Sequence, residues 1–198
     1  MNFFFLRVPR IIHGIFPDAQ WLNDSDEITL TFDDGPYPDT TPWILDYLDE
    51  QGLKAIFFVV GEQGERHPDL MDEISRRGHR IGNHGYRHLK GWKLSVAEFK
   101  ENVSRGAQVS GSTIFRPPYG QMGYRQYRAI KKDYKVVMWS VMPGDFVEGI
   151  HVESRMNKIN RSFRTRDIIV MHDNPTHFDR TKAMLEMLDV RHVVTDSY

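Results

Sequence analysis

The chain has 198 residues, 40% hydrophobic and 27% charged, which suits one domain with a full core and excludes a disordered chain. A formal net charge of −1 provides no field that would draw nucleic acid or an anionic membrane surface. With no cysteine, disulfides, thiolate metal sites and cysteine nucleophiles are all excluded.

Residues 1–26 read as an irregular arm, with Pro9, Pro17 and the polar run Asn23-Asp24-Ser25-Asp26 ahead of the first strand. Phe3, Ile11, Ile12, Phe16 and Trp21 are expected to pack as a plug over the core. The run Phe3-Phe4-Phe5-Leu6 is shorter than the roughly 7–15 apolar residues of a secretory segment, and Arg7 and Arg10 follow it instead of preceding it. No stretch approaches the roughly 20 apolar residues of a membrane span. The expectation is a cytoplasmic protein without a transmembrane segment.

Glu27-Ile28-Thr29-Leu30-Thr31-Phe32 reads as a strand that runs into Asp33-Asp34-Gly35-Pro36. Two adjacent carboxylates are costly unless a cation or an arginine compensates them. The stretch is therefore either a polar turn or part of a site, depending on what the remaining strand ends supply.

Thr40 or Thr41 can cap a helix with Pro42 at its start and Gly52 at its end. Ala55–Val60 is a continuous apolar run, as in a strand buried on both faces. A helix from Pro68 to Arg77 stops at Gly78, and Arg80–Asn83 is a third strand. Ser95 opens a helix to about Ser110, with Glu98 completing a capping box. Thr113–Arg116 is strand four, Tyr124–Lys132 a helix, and Lys135–Trp139 strand five. His151–Asn160 is a helix, Asp167–Met171 strand six, Arg180–Leu188 a helix, and His192–Val194 a candidate last strand. This β–α alternation predicts an α/β fold with a parallel sheet, closed or open. Lys158, Arg161, Arg164 and Arg166 read as a solvated basic face.

Polar residues recur at one address, the carboxyl ends of the strands, where parallel α/β folds build their sites. Asp33 and Asp34 follow strand one, His84 and His88 strand three, Arg116 to Gly120 strand four, Asp145 strand five, and His172-Asp173 strand six. His84 and His88 stand at i and i+4, on one face of a helical turn. With one carboxylate, such a pair makes a two-histidine, one-carboxylate site suited to zinc or another divalent first-row metal. The histidine pair alone is weak evidence.

The ordered set Thr31-Phe32-Asp33-Asp34-Gly35, His84 to His88, Arg116-Pro117-Pro118-Tyr119-Gly120 and Val170-Met171-His172-Asp173 resembles the polysaccharide deacetylases of carbohydrate esterase family four. The resemblance spans about residues 20–190 and implies an irregular (β/α) barrel of about seven strands, TIM-barrel-like. Residues 1–198 would be one catalytic domain, with 1–26 as an arm packed on the barrel. It implies Asp34, His84 and His88 as ligands of a divalent metal, zinc first, with cobalt, nickel or manganese as alternatives. Asp33 would be the general base held by Arg116, and His172 the general acid oriented by Asp145. The Tyr119 backbone N–H would contribute to an oxyanion hole.

The implied partner is an acetylated carbohydrate, and the implied reaction is release of acetate from N-acetyl groups of a glycan or amino sugar. Alternatives are de-O-acetylation of xylan, hydrolysis of a small amide on the same scaffold, and an inactive carbohydrate-binding relative. Three positions depart from the family pattern. Gly85 removes a hydroxyl after the first histidine, Phe146 replaces a tryptophan after Asp145, and Val170 replaces a leucine before the acid. Trp92 reads equally as core or as a sugar-stacking ring. The other histidines (His13, His67, His79, His151, His177 and His192) read as structural or exposed, with His177 set apart by its nearness to His172.

Overall fold

Parallel strands with almost no exposed residue set the architecture: β1 (Thr29–Asp33), β2 (Ala55–Val59), β3 (Arg80–Asn83), β4 (Ile114–Phe115), β5 (Lys135–Val136) and β6 (Ile168–His172). The structure, a computed structural model, describes residues 6–189 and 191. All six strands lie in one sheet in the order β5-β4-β3-β2-β1-β6. His192–Val194, read as a candidate strand, lies outside the described residues.

Strand five is shorter than its apolar run suggests, because the chain changes partners. The Val137 N–H still donates to Phe115 O at 2.8 Å, but by Val141 the chain has crossed to bridge Ile169 on β6. The sheet thereby curls back on itself as an irregular (β/α) barrel.

Side chains alternate faces along a strand, and this alternation sorts the residues. Leu30, Phe32, Phe57, Val59, Ile169 and Met171 point outward into the larger core. There they meet Ile44, Leu45 and Leu48 of α2 (Thr41–Glu50), Ile74 of α4 (Pro68–Arg76), Met156 and Ile159 of α7 (Val152–Asn160), and Met184 and Leu185 of α8 (Phe178–Glu186). Each such buried side chain contributes about 1.5–3 kcal/mol. Ile56, Phe58 and Ile168 belong to a separate cluster, and the positions in phase with them lead along β1 and β6 to Asp33 and His172.

A second core joins Phe16, Ala19 and Trp21 to Phe99 of α5 (Val96–Ser110), Tyr127 of α6 (Tyr124–Ile130), Phe115 and Val136. Ile12 packs partly against this core, whereas Ile11, expected in the plug, is 86% exposed. It sits on a four-residue helix, α1 (Arg10–His13), which buries none of its residues. Phe3 lies outside the described residues.

The α5 capping box forms as expected: Ser95 N donates to Glu98 Oε2 at 2.8 Å, and Glu98 N donates to Ser95 Oγ at 3.2 Å. The cap read at α2 does not form. Thr40 and Thr41 both turn their hydroxyls onto the buried Asp173 carboxylate instead. An additional helix, α3 (Gly61–Arg66), follows β2. Close packing requires its two glycines: a Cβ on Gly61 would lie 2.8 Å from the Tyr86 ring and one on Gly64 3.0 Å from Val109.

Candidate functional site

The strand ends converge on a cavity of ≈ 670 Å³ lined by Asp33, Asp34, His84, His88, Tyr119 and His172. Consecutive side chains on a strand face opposite ways, so Asp33 and Asp34 could not both reach it from a regular strand. Asp34 has φ +84°, and this left-handed residue breaks the alternation. Both carboxylates then face the cavity, one residue apart. Gly35 permits the turn, since a Cβ there would strike the Asp173 carboxylate.

Asp33 is buried beside Arg116, which is itself fully buried. Arg116 Nη1 donates to Asp33 Oδ1 and to Thr31 Oγ1, each at 2.7 Å, while Nη2 donates to Met138 O at 2.8 Å. The guanidinium lies 4.1 Å above the Phe58 ring. Its contact with Asp33 is through one nitrogen, not bidentate, because carbonyls and Thr31 take the other donors. This leaves Asp33 Oδ2 turned toward the histidines, 3.9 Å from His84 Nε2.

Asp34, His84 and His88 each offer an atom to a common point, with these atoms within 4.8 Å of one another. Asp34 Oδ1 lies 3.1 Å from His88 Nε2 and 3.7 Å from His84 Nε2, and it is buried without a hydrogen-bond partner. His84 Nδ1 is 2.8 Å from the carbonyl oxygen of Arg116. A carbonyl can only accept, so Nδ1 carries the proton and Nε2 presents its lone pair to the cluster. Burial pushes His84 down to about 4, assisted by His88 and Arg116 and opposed by Asp33 and Asp34, so its ring is neutral at pH 7. Burial works against ionisation of Asp34, but His88, His172 and His84 outweigh it and hold the carboxyl well below the usual range.

On the other side, His172 Nδ1 is 2.9 Å from Asp145 Oδ1, and the His172 backbone N–H donates to Asp145 Oδ2 at 2.7 Å. Asp145 is fully buried and also accepts from Thr181 Oγ1 at 2.9 Å. Burial would lower His172, but Asp145, with Asp34 and Asp33 behind it, raises it to about 9. The ring that faces the cavity is therefore an imidazolium at neutral pH.

Tyr119 takes φ +59° in the 3-10 turn Pro118–Gly120, with its ring 4.4 Å from that of His88. Phe146 stands edge-on to His172 at 5.0 Å, and Val170 lines the cavity wall. His177 also lines the cavity, 6.1 Å from the His172 ring. Trp92 is 72% exposed and is not among the residues lining the cavity.

Several supporting residues carry no signal in the sequence. Asn83 Oδ1 accepts from Gly85 N at 2.8 Å, and the Asn102 side chain bridges Arg87 N and Arg87 O. These amides brace the loop that the missing hydroxyl left unaccounted for. Gly85 has φ +80°, and a Cβ there would meet Asn102 Nδ2 at 2.6 Å, so the bracing and the glycine belong together. Thr31, Thr181 and Asn174 likewise act on partners far away in sequence; Asn174 Nδ2 donates to Asp34 Oδ2 at 3.1 Å.

The profile of the polysaccharide deacetylase family matches residues 23–139. Two peptidoglycan-N-acetylglucosamine deacetylases of Bacillus cereus are each 32% identical, one over 82% of this chain and 80% of the relative. The other match covers 75% of this chain but only 56% of the relative's length. A chitooligosaccharide deacetylase of Azorhizobium caulinodans is 30% identical over 78% of this chain and 77% of the relative. Among solved structures, the Bc1960 peptidoglycan N-acetylglucosamine deacetylase superposes with a TM-score of 0.81 at 28% identity, covering 93% of this chain and 90% of that one. The peptidoglycan deacetylase PdaC from Bacillus subtilis superposes with a TM-score of 0.72 at 28% identity, covering 86% of each chain.

Proposed function

This chain belongs to the polysaccharide deacetylase family, and from that premise we propose that it hydrolyses N-acetyl groups on N-acetylglucosamine units of a glycan, releasing acetate. The observation that carries the reading is one cavity holding three separate devices. These are an Asp-His-His cluster, a carboxylate pinned by a buried arginine, and an imidazole held by a buried carboxylate.

The cluster suits a divalent ion on its own chemistry. Its donors are two imidazoles and one carboxylate, its buried Asp34 Oδ1 lacks a partner, and the His84 tautomer faces the right way. Asp34, His84 and His88 would hold zinc or a similar cation. When bound there, such an ion polarises the amide carbonyl and makes water a stronger acid.

The chain's own groups do the rest. Asp33 Oδ1 is tied to Arg116, so Oδ2 is the oxygen free to take the proton from water as its oxygen attacks the acetyl carbon. The Tyr119 N–H serves as a donor to the substrate oxyanion that forms. An amine leaves poorly until protonated, and His172 supplies that proton from the nitrogen not held by Asp145 as the C–N bond breaks. The products are acetate and the free amine.

Acetate release, with and without added zinc or cobalt, across chitin oligomers, peptidoglycan and acetylated xylan tests this reading. Metal-dependent release from the N-acetylated substrates is expected. Release from the xylan alone would overturn the amide assignment.

A further inference from the structure

A carboxylate ligand has two equivalent oxygens and a free torsion, so something must select the oxygen that meets the ion. We infer that Asn174 is a positioning residue that locks Asp34 so that Oδ1 alone is presented to the metal. The inference rests on the reading of Asp34, His84 and His88 as a metal site.

Asn174 is held at both ends. Its Oδ1 accepts from Thr176 N at 3.0 Å, and a backbone N–H can only donate, which fixes which end of the amide is oxygen. The amide nitrogen must then face Asp34, where Nδ2 donates to Oδ2 at 3.1 Å. The Thr176 contact belongs to the 3-10 turn Pro175–His177, where Asn174 is the capping residue. The orientation of the amide is thus set by local backbone before any ion arrives. One lone pair of Oδ2 is occupied, and Oδ1 is left buried and without a partner, nearest His88 and His84.

Asn174 also lines the cavity and lies two residues beyond His172. The segment that follows His172 at the end of β6 therefore also sets the torsion of the carboxylate read as a metal ligand. Outer partners of this kind tune metal affinity by about 10–100-fold when removed.

The test is zinc affinity of the whole chain, measured by competition with a chromogenic chelator, together with the melting midpoint of the metal-free protein. Asn174→Leu fills the space without a donor and keeps water from replacing it. It should bind zinc about 10–100-fold more weakly, while the metal-free midpoint falls by no more than the loss of one cap and one hydrogen bond explains. If the Leu variant does not fold, Asn174→Met, which also fills the space without a donor, is read in the same way. Unchanged affinity in the Asn174 variant, with His88→Ala losing zinc, would overturn the inference and leave the metal site standing. Unchanged affinity in both variants would overturn the metal site and the inference together.

Discussion

The carbonyl oxygen of Arg116 lies 2.8 Å from Nδ1 of His84, while its guanidinium Nη1 lies 2.7 Å from Asp33 Oδ1. One buried residue therefore fixes an imidazole of the Asp-His-His cluster with its backbone and the carboxylate proposed as the base with its side chain. Its own N–H donates to Asn83 O at 3.0 Å, tying the same residue to β3. The base and the cluster share a single mechanical support.

Removing that side chain leaves a buried carboxylate without its cation. Arg116→Ala should cost about 3–5 kcal/mol of stability, the range seen when one member of a buried ion pair is deleted. The denaturant midpoint reads this directly. A loss no larger than that of a surface substitution would show that the pair contributes little.

The pH profile should report His172. Its pKa is raised from 6.5 to about 9, with burial lowering it and Asp145 raising it more. The folded value lies above the unfolded one, so the stabilising contribution is complete below about 6.5 and is lost as pH rises through about 9. Because the proton donor must be charged, acetate release should fall along the same alkaline limb. Asp145→Asn removes the largest raising influence and should move that limb to lower pH. An alkaline limb in the same place in this variant would break the proposed pairing.

Gly85→Ser restores the residue type more usual in the family, and it should harm this chain. The φ of +80° disfavours any Cβ, and the new atom would collide with Asn102 Nδ2. A loss of about 1–3 kcal/mol is expected from the backbone alone. Thermal or chemical denaturation measures it, and a neutral or stabilising effect would show that the loop relaxes freely.

The central strands were legible because β2 and most of β6 are apolar runs and β1 alternates Thr with apolar residues, all of it buried, and polar residues stood at the carboxyl ends of β1, β3, β4 and β6. Asp33, Asp34, His84, His88, Arg116, Asp145 and His172 could be read as one set for that reason. α3 was not legible, because Gly61 and Gly64 argue against a helix until the closeness of Tyr86 and Val109 is known. The cap at α2 misled for a related reason. Thr40 and Thr41 sit where capping residues belong, but Asp173 lies more than 130 residues away and takes both hydroxyls. Asn83, Asn102 and Asn174 give no pattern at all, since an amide in a loop shows its purpose only through its partners.

The central claim is that adjacent aspartates divide the work, Asp34 to the metal and Asp33 to the proton. Bound zinc per chain and acetate release, measured on the same preparations of wild type, Asp33→Asn and His88→Ala, test it most directly. The account predicts that Asp33→Asn keeps its zinc and releases no acetate, whereas His88→Ala loses both. Acetate release retained by Asp33→Asn, or zinc lost from it, would contradict the account.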